Sequence, residues 1–599
     1  MIIKEINNFV NTSKKYNIII LLFMFSNITN NNIKQEELHD KIEFQLPIYY
    51  LDNKYKLNDN IKSDLELLDI SNNSLYNNIL SDLSNNSTKL VNKWSEYYTT
   101  DLEFLKDNQD FLKKYTPIKN YNDNNVRDVE NILTEINNET GFYEKYKYID
   151  VDYFKSLNKS PSVLQILTIY NLTSPVLSLA IPIIMLIMPF FILKFQGLPV
   201  SFTTYIETII KLFKNHIIGQ LFSRFSEVDI SQKIFLIFSL GFYIFNLYQN
   251  ITSCYNFYKN IYKIQDTLLS INKFIDFSIN NIDNISKYSK KSFNNFLQSN
   301  AKIKNNLLLL KTELEKIDLH KIKITHITKI GNILKCFYEL NTNYLFRESL
   351  EYCIDLHYYL LNIENIQKHI NTSKINYCKF SNKTTNFTDA YFASLINNNP
   401  IKNTYNLDKQ ILITGPNAAG KTTLLKTTLF NIIISQQLGI GCYKKANINP
   451  YNYIHSYINI PDTSQRDSLF QAEARRCKEI LDSLTKNTSK ERHFCIFDEI
   501  YSGTNPSEAI ASAYSFLKYL SKYDNINYIL TTHYVSLCKL LDENKKVANK
   551  HMKVIENNNT YKLDKGISNI KGGIKVLEEL GYNENIINNA KTIIKTIDI

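Results

Sequence analysis

The eight cysteines of this 599-residue chain show no pairing pattern. They stand scattered at 254, 336, 353, 378, 442, 477, 495 and 538, with no Cys-x-x-Cys and no Cys/His ligand spacing. That excludes a zinc module and argues for a reducing compartment. Glycine (14) and proline (12) are scarce, while Asn, Ile, Lys and Tyr crowd the sequence. Those four share A/T-rich codons, so the bias belongs to the genome more than to a binding task. The net charge of +11 falls under the same caution. A basic balance suits a polyanion or an anionic lipid surface, but lysine spread along a whole chain reads first as a solvated face. No internal repeat is present. The apolar run Asn17–Phe25 is brief and no small-residue cleavage site follows it, so it reads as a buried helix or strand and not as a signal peptide.

Charge is also missing from Pro175–Leu193, "PVLSLAIPIIMLIMPFFIL", and from Ile234–Tyr258. At roughly 20 residues per span, these runs predict transmembrane helices over 172–193 and 234–254. Pro175, Pro182 and Pro189 lie seven apart, near one helix face. Membrane helices tolerate such prolines where neighbours satisfy the freed carbonyls. Between the runs, Ser201–Phe225 is apolar at helical spacing with Lys211, Lys214, His216 and Arg224 interspersed, the pattern of an interfacial amphipathic helix. The alternative is a buried helical subdomain made of all three pieces. Length allows about three or four domains. Texture divides the chain into an N-terminal segment 1–39, a helical part 40–160, the apolar insertion 161–258, long mildly basic helices over 259–380, and an α/β part 381–599.

"QILITGPNAAGKTTLLKTTLF" writes an apolar strand, a glycine-bounded loop and a helix. Gly415-x4-Gly420-Lys421-Thr422 has the spacing of a phosphate-binding loop in its required context. The loop Gly415, Pro416, Asn417, Ala418, Ala419, Gly420 and on to Thr423 wraps the phosphates, and its backbone N–H groups, which Pro416 lacks, turn toward phosphate oxygens. Lys421 supplies charge for the β- and γ-phosphates of ATP, and Thr422 offers a hydroxyl to Mg²⁺. "RHFCIFDEI" (Arg492–Ile500) is a strand ending in Asp498, which would hold Mg²⁺, and Glu499, which would polarise the attacking water. "YILTTHY" (Tyr528–Tyr534) closes on His533, placed to sense the γ-phosphate. A two-span insertion puts both flanks on one side of the membrane, and ATP makes that side cytosolic. The expected protein is intracellular or viral, and not secreted.

A Walker B glutamate followed by a strand-end histidine marks the ABC-type ATPases, whose two domains sandwich ATP. The transporter signature LSGGQ is absent. In its place stands "DTSQRDSLFQAEARRCKEIL" (Asp462–Leu481). Here the chain resembles the MutS family of mismatch-repair ATPases. "GPNAAGKTT" is similar to that family's GPNMGGKST, "SLFQAEA" to STF-x-x-E-M, "DEIYSGTNPSEA" to DEIGRGTSTYDG and "TTHY" to ATHY. Tyr561–Ile593 resembles its C-terminal, subunit-packing ending, and Asn85–Leu112, with Trp94, its core segment.

The resemblance implies a homodimer, or a heterodimer with a related ATPase, that binds double-stranded DNA. It implies that Ser468 reaches the partner's γ-phosphate, that Asn417 lines the site, and that the Gly503-Thr504-Asn505 turn sits at the dimer seam. Ala418-Ala419 replace Met-Gly, and Tyr501-Ser502 replace Gly-Arg, which puts any role of that arginine in doubt. "GFYEKY" (Gly141–Tyr146) spells the Phe-x-Glu of the mismatch-reading domain. It follows the Trp94 segment instead of preceding it, so Phe142 and Glu144 are not assigned that role. The expected fold is multidomain α and α/β. A helical core and lever helices are interrupted by a transmembrane insertion bound to membrane lipid, and an ABC-type P-loop domain follows. The alternative function is an ATP-driven membrane-remodelling or transport machine without a DNA role.

Overall fold

Asp101 ends an extended stretch and accepts the Phe104 N–H at 3.0 Å, which starts the helix Leu102–Lys114 (α1). The computed structural model describes residues 41–68, 74–80, 90–118, 123–138, 140–197, 201–215, 230–317, 329–458, 460, 468–486, 490–556, 558–568, 570 and 573–593. The segment 1–39, with its apolar run, lies outside them, as do His216, Arg224 and Asp462–Asp467. The chain divides into Met1–Glu43 and Phe44–Ile599, and the described helices and strands all lie in the second unit.

After α1 come Asp123–Asn138 (α2), Pro161–Phe195 (α3), Phe202–Asn215 (α4), Ile230–Tyr288 (α5), Asn294–Glu315 (α6), Ile330–Thr342 (α7) and Tyr344–Asn371 (α8). Two short strands precede α1, Lys54–Lys56 (β1) and Tyr97–Thr99 (β2), paired antiparallel. Buried Phe44 meets Tyr352 of α8 edge-on at 5.2 Å and Phe296 of α6 at 6.3 Å. Trp94 stacks on Tyr359 and donates its indole N–H to Asn362 at 3.1 Å. Phe44 and Trp94 therefore close onto the long helices.

The two apolar runs lie on α3 and α5, which are long and apolar enough to cross a membrane. Val176, Leu179, Phe191, Phe238, Phe242 and Tyr248 are each more than half exposed. Proline does not break α3. Pro175 has no N–H for the Asn171 carbonyl, and the Ser174 hydroxyl donates to that carbonyl instead, at 3.2 Å. Asn250 of α5 donates to the Ser178 hydroxyl at 2.9 Å, joining the two helices. Tyr205 of α4 accepts the Phe190 N–H at 2.9 Å. At the base, a Cβ on Gly331 would lie 2.1 Å from the Pro161 carbonyl oxygen, so only glycine lets α7 approach α3 this closely.

The helices exceed the expected spans at both ends. α5 is 59 residues long, about 88 Å at 1.5 Å per residue, and crosses the sequence-based boundary at 258 without interruption. From Phe257 onward, Ile261, Ile264, Leu268, Ile271 and Ile275 are buried at helical spacing. One rigid element thus carries both the apolar run and part of the helical core.

The α/β part begins at Asn376, a few residues ahead of the boundary drawn from texture. Asn376–Phe380 (β3), Asn386–Ala390 (β4), Asn403–Asn406 (β5), Ile440–Gly441 (β7) and Lys445–Ile448 (β8) form a sheet ordered β5-β4-β8-β3-β7. Gln410–Thr414 (β6), Tyr453–Tyr457 (β9), His493–Asp498 (β10), Ile526–Thr531 (β11), Val547–Ile555 (β12) and Asn558–Lys565 (β13) form a second, ordered β13-β12-β6-β11-β10-β9. It is parallel apart from the β12–β13 hairpin. Lys421–Leu438 (α9) packs on one face. Leu469–Lys486 (α10), Pro506–Leu520 (α11) and Val535–Asp542 (α12) cover the other through Leu412, Cys477, Phe497, Ala513, Leu530 and Leu537. Gly573–Glu579 (α13) and Glu584–Ile593 (α14) follow, with Leu580, Ile586 and Ile593 exposed around them.

Candidate functional site

Parallel β6, β11 and β10 end on the same edge of the second sheet, so the loops that follow them meet there. After β6 the chain turns through Gly415 at φ 153°, Ala418 at φ 58° and Gly420 at φ 90° before α9 begins. Ala418 holds a left-handed conformation that costs a non-glycine residue about 1 kcal/mol. Ala419 is buried beneath the turn, while Asn417 and Ala418 are exposed at its crest.

Lys421 is buried, and its ammonium donates to the carbonyls of Gly415 (3.1 Å) and Pro416 (3.3 Å). Burial pulls its pKa below the ordinary lysine value, against the nearby Glu499 and Asp498 carboxylates. The next residue, Thr422, donates its hydroxyl to Asp498 Oδ2 at 2.6 Å, and Thr531 from β11 donates to Asp498 Oδ1. Thr423 is exposed and, with Thr422 and Lys426, borders a cavity of about 470 Å³ facing Leu65, Glu66, Leu75 and Asn78.

Glu499 sits at φ 54° just past β10, with its carboxylate 2.8 Å from His533 Nε2 and 3.6 Å from Lys421 Nζ. The hydrogen bond from His533 holds the Glu499 carboxyl below its usual range, and Lys421 adds to this. Lys421 Nζ also lies 3.0 Å from the same His533 nitrogen. That atom can donate to Glu499 or accept from Lys421, but not both at once. The expected residues thus gather in two adjoining sets, Lys421 with Glu499 and His533, and Thr422 with Asp498. The oxygen donors of Thr422 and Asp498 suit a hard divalent cation such as Mg²⁺.

Ser468 is not part of that cluster. It is exposed at the start of α10, where its backbone N–H donates to Gln471 Oε1 at 2.9 Å and its hydroxyl accepts from the Gln471 N–H at 3.3 Å. One turn on, Glu473 is only 2% exposed. Its carboxylate accepts the Ser502 N–H (3.0 Å), the Ser502 hydroxyl (2.9 Å) and the Gly503 N–H (3.1 Å). A Cβ on Gly503 would stand 2.8 Å from the Phe470 nitrogen. Glu473 and Gly503 together clamp the turn after Glu499 against the start of α10. Tyr501 occupies a positive φ of 59° and is buried against Phe470 and Phe516. Asn505 caps α11 through the Glu508 N–H.

Several contributors were not visible in the motifs. The β12–β13 hairpin lies over the phosphate loop. A Cβ on Gly415 would be 3.1 Å from Met552 Cβ, and one on Gly420 3.1 Å from the Tyr561 ring. Asn559 donates to the Ala418 carbonyl at 3.3 Å. α9 is buried on nearly every side, and its polar residues find partners across the domain boundary. Gln437 donates to the carbonyls of Trp94 (2.7 Å) and Tyr97 (2.9 Å), and Gln436 to those of Thr99 (3.1 Å) and Tyr451 (2.8 Å). The amides buried on an apolar helix were the only available signal. Phe142 of "GFYEKY" is buried and stacks on Tyr148 at 5.2 Å, with Phe337 at 5.7 Å.

The model of one protein family, MutS domain V, matches residues 411–598. The C-terminal third resembles MutS domain V. This MutS-type segment is 29% identical over 188 residues to the DNA mismatch repair protein MutS of Persephonella marina, covering 31% of this chain and 21% of that protein. It is 33% identical over 210 residues to the DNA mismatch repair protein MSH3 of Debaryomyces hansenii, covering 32% of this chain and 20% of that protein. With the endonuclease MutS2 of Finegoldia magna it shares 31% identity over 192 residues, 31% of this chain and 24% of that protein. The match spans about a fifth of the length of these curated relatives. It holds the phosphate loop, Ser468, Glu473, Asp498, Glu499 and His533, and leaves the helices of 44–371 outside.

Proposed function

We propose that this protein is a MutS-like, Mg²⁺-dependent ATPase that works as a dimer, binds double-stranded DNA, and is tethered to a membrane by α3 and α5. The convergence of Lys421, Thr422, Asp498, Glu499 and His533 on one sheet edge carries the ATPase reading. The backbone of Gly415–Thr423 cradles the phosphates at the start of α9. Lys421 turns its ammonium from the Gly415 and Pro416 carbonyls to the β- and γ-phosphates. Thr422 and Asp498 would hold Mg²⁺, which would supply positive charge to neutralise the phosphates. Glu499 orients the attacking water and draws its proton, and His533 holds Glu499 and reads the γ-phosphate. Ser468, exposed and outside its own chain's cluster, serves the partner's site across a homodimer or a heterodimer with a related ATPase.

DNA binding is supported by the names of the mismatch-repair relatives. Base reading through Phe142 is not, because a ring buried in the protein core is not available to a base stack. Membrane tethering is supported by the exposed apolar side chains along α3 and α5, with the ATP site on the cytosolic side. A second reading, ATP-driven membrane remodelling without DNA, is favoured by the continuity of α5 from the apolar run into the core.

Glu499→Gln tests the site. ATP-bound dimers accumulate and turnover falls by about a hundredfold or more. Unchanged turnover overturns the assignment. Salt-sensitive binding to a DNA duplex separates the two readings, and its absence at low salt leaves the remodelling one. Retention of the chain in alkali-washed membranes tests the tether.

A further inference from the structure

We propose that the pocket between Gly141–Lys147 and residues 248–260 of α5 is a binding site for the phosphate-bearing headgroup of an anionic phospholipid. The site rests on the membrane reading above and adds to it a ligand and a place. The pocket encloses about 930 Å³ and is lined by Lys145, Lys147 and Lys259 against a single carboxylate, Glu144. Its polar wall includes Asn256 and Asn260. Asn260 donates to the Lys145 carbonyl at 3.1 Å, which fastens the basic loop to α5. Phe142, Tyr146 and Tyr148 anchor the same loop in the core through Phe337. "GFYEKY" thus builds a wall of this pocket.

The height of the pocket on α5 favours lipid over nucleic acid. Tyr248, Ile251, Tyr255 and Tyr258 recur at helical spacing and are 65%, 56%, 65% and 47% exposed. This ladder continues the uncharged run down to the level of the pocket, and interfacial tyrosines mark where hydrocarbon meets headgroups. On the opposite side at the same level Phe257 is buried, and one turn lower so is Ile261, so α5 enters the protein core there. Lys145, Lys147 and Lys259 line the pocket at the level where lipid phosphates would lie, with the acyl chains beside the tyrosine ladder. Clustered lysines at such a boundary select anionic headgroups. A bare phosphate has the same charge chemistry but nothing to place against the ladder, and a duplex would have to enter the headgroup layer.

The test uses the full chain in detergent, titrated with short-chain phosphatidic acid, short-chain phosphatidylcholine, inorganic phosphate and a short DNA duplex. Bound lipid is counted by native mass spectrometry. Phosphatidic acid binds about tenfold or more tightly than phosphatidylcholine, and neither inorganic phosphate nor the duplex displaces it. K145Q/K147Q/K259Q removes that preference while ATP binding and thermal stability persist. Lys259→Glu alone weakens phosphatidic acid severalfold, which covers the case of a triple variant that does not fold. Equal affinity for the two lipids, or unchanged binding in the variants, overturns the proposal. Displacement by inorganic phosphate, or by the duplex, also overturns it. Release of wild-type chain from alkali-washed membranes brings down the tether, whereas retention without headgroup preference brings down the pocket alone.

Discussion

Gln437, in the last turn of α9, donates its side-chain amide to the Trp94 carbonyl at 2.7 Å across 343 residues of sequence. The same amide reaches Tyr97, and its oxygen accepts the Tyr76 hydroxyl at 2.9 Å. The helix that begins at Lys421 therefore ends bolted to the helical core. A shift of α9 on binding the proposed ATP would be passed to Trp94, and through Asn362 to α8. Gln437→Leu keeps the volume but leaves the buried Trp94 carbonyl, the half-buried Tyr97 carbonyl and a tyrosine hydroxyl without these partners. Its expected cost is about 2 kcal/mol of stability, read from the urea midpoint, together with weaker coupling between ATP and DNA.

Lys421 is the only buried ammonium in the phosphate loop, and it has no substitute there. Lys421→Met should lower ATP affinity by about a hundredfold or more while the fold persists, because the side chain's stem is already packed. Equilibrium binding of a fluorescent ATP analogue, with circular dichroism as control, checks both halves of that statement.

Glu473 links the start of α10 to the turn that follows Glu499. Glu473→Ala leaves the Ser502 and Gly503 N–H groups unsatisfied and opens a small void. The expected loss is about 2–3 kcal/mol of stability, with ATP turnover reduced even where ATP still binds. Comparing kcat with nucleotide affinity in this variant separates a displaced Glu499 from a damaged phosphate loop.

His455 and His493 stack at 5.5 Å on neighbouring strands β9 and β10, with Nε2 of one 3.2 Å from Nδ1 of the other. Burial holds His455 at about 3 and His493 at about 4, below the ordinary 6.5. Both are therefore neutral in the folded protein, while the unfolded chain takes up protons below about pH 6.5. Stability from this pair is complete above that pH and is lost as pH falls toward 4, by about 1–2 kcal/mol per histidine at pH 5. The double variant His455→Phe/His493→Phe should lose less stability than wild type between pH 7 and pH 5. Equal losses in urea titrations refute the assignment.

Much of the candidate site was legible in the sequence because its parts are local. The strand, loop and helix around Lys421 are contiguous, and Asp498, Glu499 and His533 each stand at the end of a readable strand. The two apolar runs were legible as helices though not in their full length, and Ser174 next to Pro175 satisfies the carbonyl that this proline frees. What spacing could not carry were partnerships between distant segments. Glu473 could be matched to a motif, but its hold on Ser502 and Gly503 depends on how α10 leans on the sheet. The boundary placed at 258 followed a change in composition, whereas α5 continues because its backbone hydrogen bonds do not depend on which solvent its side chains meet.

The sequence by itself determined which residues stand at the sheet edge and where the two apolar runs lie, since each of those segments is encoded within about 20 consecutive residues. Only the tertiary structure decided that Trp94 rests on α9, that Phe142 belongs to the core, and that Lys145, Lys147 and Lys259 share one pocket. Those facts arise where segments far apart in the chain exclude water together, and burial between distant segments leaves no mark in the spacing of either one.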